Sequence, residues 1–120
     1  ELRALYYACA IHDQGYVVIL KALREVGMDE VVDVPILRFA ATGVAIPQEL
    51  TQSLEEPVWI VEEKIPGQFT KYINNNGLTP MPGLVGRNLA IAVFLCFCQH
   101  VHYLISTRRC IVADYQGMCF

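Results

Sequence analysis

The sequence predicts an α+β fold, because β-prone segments fill its first half and one long apolar helix follows them. Three observations carry this. Residues 2–11 and 16–23 are rich in Tyr, Val, Ile and Leu around His12-Asp13-Gln14-Gly15, a composition suited to a hairpin loop. Residues 57–65 hold Val58-Trp59-Ile60-Val61, a run expected of a strand covered on both faces. Residues 84–105 are long and apolar enough for a core helix.

Taken in order, two antiparallel strands open the chain, with Lys21 near the end of the second. Residues 24–34 mix charge with Val and suit a short helix that Pro35 closes. Residues 36–47, apolar with Gly43 inside, have no clear period. Pro66-Gly67 ends the tryptophan-bearing strand. Residues 74–83 contain three Asn, two Gly and two Pro, which is loop chemistry and the natural place for a boundary between lobes. The long helix follows, and residues 110–113 form a short buried strand.

Composition narrows the function. The 120 residues are 54% hydrophobic, with mean hydropathy +0.36, enough to build a core. A net charge of −3 offers no basic field for nucleic acid. The longest apolar run, residues 89–98, is about half the roughly twenty residues a membrane span needs, so no span is expected. Five cysteines at irregular spacing argue against a disulfide framework and for a reducing compartment, and no signal peptide opens the chain. The cytoplasm is the expected location.

Several residues invite chemistry, each with a plainer alternative. Lys21, projecting from a strand beside a glycine-bearing turn, can neutralise nucleotide phosphates or simply be solvated. Glu62, after the tryptophan strand, can meet an adenine edge or belong to an exposed acidic pair with Glu63. Lys71 precedes Asn74-Asn75-Asn76-Gly77, a string that builds either a polar loop beside charged substrate groups or an ordinary turn. Asp114 and Gln116 share a face if their strand continues; a carboxylate there can orient a hydroxyl or serve Mg²⁺, or form a local turn. Cys96, Cys98, His100 and His102 cannot jointly hold one zinc ion, because helical residues two apart point about 200° apart. A tetrahedral site needs ligands from elsewhere, and Cys119 is the only later candidate. There is no GxGxxG or P-loop string and no serine in a nucleophile elbow.

Taken together, Glu62, Gly67-Gln68-Phe69-Thr70-Lys71-Tyr72, Asn74-Asn75-Asn76-Gly77, Cys98-Gln99-His100 and Asp114-Tyr115-Gln116-Gly117 resemble the alpha-kinases, atypical protein kinases that include myosin heavy-chain and channel-linked kinases. The likeness is strongest over residues 61–117. Ile73 looks inserted, and Met118-Cys119-Phe120 stands where the family continues Val-Gly. The resemblance implies a two-lobed kinase-like fold, with residues 1–65 N-lobe-like and residues 66–120 starting the C-lobe. Carried over residue by residue, it implies that Lys21 contacts ATP phosphates and Glu62 the adenine. Lys71 and Asn75 line the cleft, Asp114 is the catalytic aspartate, Gln116 ligates magnesium, and His100 is the first ligand of a structural zinc.

The implied activity is transfer of the γ-phosphoryl of ATP to Ser or Thr of a protein, often in a helical context. The resemblance ends before the family's second magnesium aspartate and its later His and Cys zinc ligands. It therefore implies a truncated domain whose transfer is slow or absent, with a non-catalytic binding module as the alternative.

Overall fold

The computed structural model describes residues 2–46 and 58–118, with the side chain of Leu2 excepted. The first element is one 24-residue helix, α1, spanning Leu2–Glu25, where two strands were expected. The correction has a physical cause. His12, Gly15 and Ile19 are buried, and Leu5, Ala8, Cys9, Tyr16 and Leu23 half-buried, at spacings of three and four; this is helical periodicity hidden under β-prone composition. Gly15 is not a turn residue. A Cβ there would stand 3.3 Å from the His102 ring, so its missing side chain lets a second helix approach.

Gly27, at φ 68°, ends α1. The Gly27 and Met28 amides donate to the carbonyls of Arg24 and Leu23, closing a Schellman turn. The short helix expected over residues 24–34 is therefore absent. Its first residues finish α1, and turns follow to residue 32.

Two strands, β1 at Thr42–Ala45 and β2 at Trp59–Glu62, pair antiparallel from Thr42↔Glu62 to Ala45↔Trp59. The tryptophan strand is thus where the sequence put it, but every residue of it is exposed rather than covered on both faces. Arg38 donates two hydrogen bonds to the Glu63 carboxylate, at 2.7 and 2.8 Å, and the Ala41 amide donates a third at 3.1 Å. This fork fixes the segment before β1 to the end of β2.

A second pair joins β3, Thr70–Lys71, to β4, Gln116–Gly117, with α2, Gly86–Ile105, between them in the chain. The expected long helix is present to within two residues at its start. Its C-terminus turns sharply on Thr107 and Arg108, both at positive φ. There the Ser106 hydroxyl accepts from the amides of Arg109 and Cys110. Gln99 donates to the Val112 carbonyl at 2.9 Å and holds the returning chain against α2. The strand expected at residues 110–113 does not form; pairing starts only at Gln116, after Asp114 bends the backbone at φ 57°.

The core has two parts. Tyr72, Ile73, Ile91, Ala92, Leu95 and Tyr115 form the larger, and Ile19, Cys98 and Val101 join α1 to α2. Full burial of a residue such as Ile73, 0% exposed, contributes about 1.5–3 kcal/mol. By length and composition α2, with mean hydropathy 1.6, could cross a membrane, although the sequence led us to expect no span. Its inner face, however, carries Gln99 and His102, both buried within this fold, as a core helix does.

Candidate functional site

The β3·β4 pair is the scaffold of the site. In its register Thr70 faces Gly117 and Lys71 faces Gln116, so the Lys71 and Gln116 side chains emerge on one face. Beyond the strands, the Tyr72 and Ile73 amides both donate to the Tyr115 carbonyl, at 2.8 and 3.2 Å. The left-handed bend at Asp114, which Asp tolerates better than most residues, turns its carboxylate toward Lys71. Their charged atoms stand 2.8 Å apart, with both side chains a little over one third exposed.

Glycine makes the entry to β3 possible. Gly67 sits at φ 88°, and a Cβ there would fall 2.4 Å from Met118 Sδ, so the residues flanking β3 and β4 approach where only glycine fits. The asparagine run next to Lys71 is a turn in its own right. The Asn75 amide donates to Asn74 Oδ1 at 3.0 Å, and the Gly77 amide to the Asn74 carbonyl at 3.1 Å. Asn74 is thereby consumed by structure, while Asn75 stays exposed. The Met81 amide donates to the Tyr72 carbonyl, folding residues 74–81 back onto β3.

Lys71, Asp114 and Gln116 are therefore brought together, with Asn75 on the adjoining turn. Lys21 is not joined to them by any ion pair. It lies on α1 rather than on a strand, its side chain is 75% exposed, and its ammonium stands 3.8 Å from Glu25 one helical turn on. Glu62 ends β2 exposed, next to the Glu63 that Arg38 engages. Hydrogen bonding to Arg38, then to the Ala41 amide, holds the Glu63 carboxyl down at about 2.

His100 is exposed on α2, while Cys98 and His102 face inward. Among the described residues no three His, Cys, Asp or Glu side chains are grouped to hold a metal ion, and Cys119 lies outside them. The described donors thus make no complete zinc site, in keeping with a ligand set that was incomplete in the sequence. Burial pushes the Cys98 thiol up to about 12; it also holds His102 down at about 4, helped by His12.

Sequence reasoning missed His12. It is 3% exposed, and its ring meets those of Tyr16, Phe39, His102 and Tyr115 at centroid distances of 5.0 to 6.4 Å. Tyr16, one turn on, donates to the Pro35 carbonyl and accepts from the Leu37 amide, tying α1 to the chain before β1. The signal that could have found both was the spacing of three and four residues along α1.

The α+β chain thus sets a lysine and a glutamine on one small antiparallel pair, with an aspartate in the bend before it and an asparagine turn beside it. The alpha-kinase family profile matches residues 23–120, more than four fifths of the chain, and the chain belongs to that family. Membership suggests a protein kinase function. Lys21 and all of α1 but its last residues precede the match. No curated protein and no solved structure matches the chain.

Proposed function

We propose that this alpha-kinase unit transfers the γ-phosphoryl group of ATP to a serine or threonine of a protein, with Lys71, Asp114, Gln116 and Asn75 as its working residues. The observation that carries the reading is the approach of Lys71 to Asp114 at 2.8 Å beside Gln116. In the transfer, the acceptor hydroxyl oxygen forms a bond to the γ-phosphorus as the bond to the bridging oxygen of ADP breaks. The Asp114 carboxylate takes the hydroxyl proton. The Lys71 ammonium then faces the charge spread over the moving phosphoryl, which water would otherwise have to solvate.

Gln116 offers the side-chain oxygen to hold Mg²⁺, a hard cation that prefers such donors and neutralises phosphate charge when bound. Glu62 remains the residue proposed for the adenine. Lys21, solvated on α1 and outside the family match, has no part in this assignment. A cytoplasmic location and a helical protein substrate accompany the reading.

A thermal-shift titration with Mg·ATP, paired with labelled-phosphate transfer to a threonine-bearing helical peptide, tests it. We expect weak stabilisation and slow transfer, both weakened by Lys71→Met and unaffected by Lys21→Ala, with transfer alone abolished by Asp114→Asn. No shift at millimolar nucleotide would overturn the proposal in favour of a non-catalytic binding module.

A further inference from the structure

A cavity of about 440 Å³ opens between α1 and the segment that leads into β1, on residues other than those of the proposed transfer site. Tyr6, Cys9, His12 and Asp13 line it from one face of α1, and Arg38 and Phe39 from the opposite wall. It is an open groove rather than an enclosed pocket, with a volume in the range of small-molecule sites. It also spans two parts of the chain: α1 precedes all but the first residues of the family match, whereas Arg38 and Phe39 lie inside it.

We propose that this cavity binds a small organic cation, a protonated amine carried on an aromatic or apolar body. The charge of the lining decides the sign. Arg38 is neutralised by its two hydrogen bonds to Glu63, whereas Asp13 has no ion pair or hydrogen bond among the described residues. The uncompensated charge is therefore negative. An anion would meet Asp13, and a bare metal ion would find one carboxylate and one imidazole, too few ligands to hold it.

The rings decide the rest of the ligand. Phe39 is edge-on to His12, and Tyr6 is edge-on to Tyr7 and largely exposed; both line the same cavity as Asp13, so a cation held there gains by lying across aromatic surface. His12 closes the inner wall. It lines the cavity, but its unpartnered Nδ1 is sealed from solvent, so its ring forms part of the wall and the carboxylate of Asp13 carries the recognition of the cation.

The test uses benzylamine, with benzyl alcohol as its uncharged match, followed by amide chemical shifts of the whole chain in the absence of nucleotide. Saturable shifts confined to residues 9–13 and 38–42, with benzylamine bound about fivefold more tightly than the alcohol, are expected. Asp13→Asn, an exposed substitution that leaves the helix intact, should remove that preference. Scattered or non-saturating shifts, equal binding of the two probes, or a preference that survives Asp13→Asn would each overturn the proposal. Because no nucleotide is present, failure here is separate from failure of the kinase reading.

Discussion

The Lys71 ammonium stands 2.8 Å from the Asp114 carboxylate, although the whole of α2 separates the two residues in the chain. The pairing of β3 with β4 creates that proximity, and the pair itself is weakly stabilising. A partly exposed ion pair of this kind contributes about 0.5 kcal/mol. Lys71→Met and Asp114→Asn should therefore each shift the unfolding midpoint only slightly while lowering phosphoryl transfer about 100-fold or more. Parallel denaturation and transfer assays would check this; equal losses of stability and activity would reduce the pair to a structural role.

Gly67 is the second point of control. Gly67→Ala must hold alanine at φ 88° and displace Met118, a combined destabilisation of about 2–3 kcal/mol, of which the backbone accounts for about 1–2. Adding Met118→Ala should relieve the steric share alone. Urea unfolding of both single variants and the double variant separates the two, and full recovery in the double variant would contradict the backbone share.

Tyr16→Phe deletes the hydroxyl that joins α1 to Pro35 and Leu37, and should cost about 1–2 kcal/mol because the Leu37 amide loses its acceptor. Transfer activity, if α1 lies apart from the chemistry, should be unchanged once the protein is folded. Activity measured well below the melting midpoint is the check.

Acid should weaken the fold in two windows. The folded Glu63 carboxyl lies at about 2 against an ordinary 4.5, so its contribution is complete above 4.5 and is lost as pH falls toward 2. Arg38→Met should remove most of that dependence and leave the smaller share of the Ala41 amide. Burial depresses His12 against the partial pull of Asp13 and a backbone group of Leu37, so the neutral imidazole favours the fold above 6.5 and that gain fades as pH drops below it. Burial holds His102 down at about 4 and adds to the same upper window, so His12→Phe should flatten that window only in part and leave the His102 share between 6.5 and 4. Chemical denaturation at stepped pH values reads both.

The grouping of three candidate site residues was legible because they lie in short, distinctive strings. Lys71, Asp114 and Gln116 sit in strings that a plain turn would also explain, and the family resemblance singled them out; the structure brings the three together. The long helix was legible because its apolar run has no competing pattern. The N-terminal element was misread because Tyr, Val and Ile favour strands in isolation, whereas α1 is decided by burial against α2, a contact that local propensity does not register. With that strand went the placement of Lys21. Residues 110–113 failed as a strand for a similar reason: their partner is the side chain of Gln99 rather than a neighbouring backbone.

The β1·β2 ribbon, with one half-buried residue and the rest exposed, rests on two strands and the Arg38–Glu63 fork. Such a ribbon is marginal by itself and can open without disturbing the helices. Deuterium uptake should accordingly be graded: amides of Thr42–Ala45 and Trp59–Glu62 exchange early, those around Ile91–Val101 last. A fold built this way keeps its two helices closed while the ribbon opens, so a ligand that engages Glu62, as proposed for adenine, should declare itself first as slowed exchange in β2.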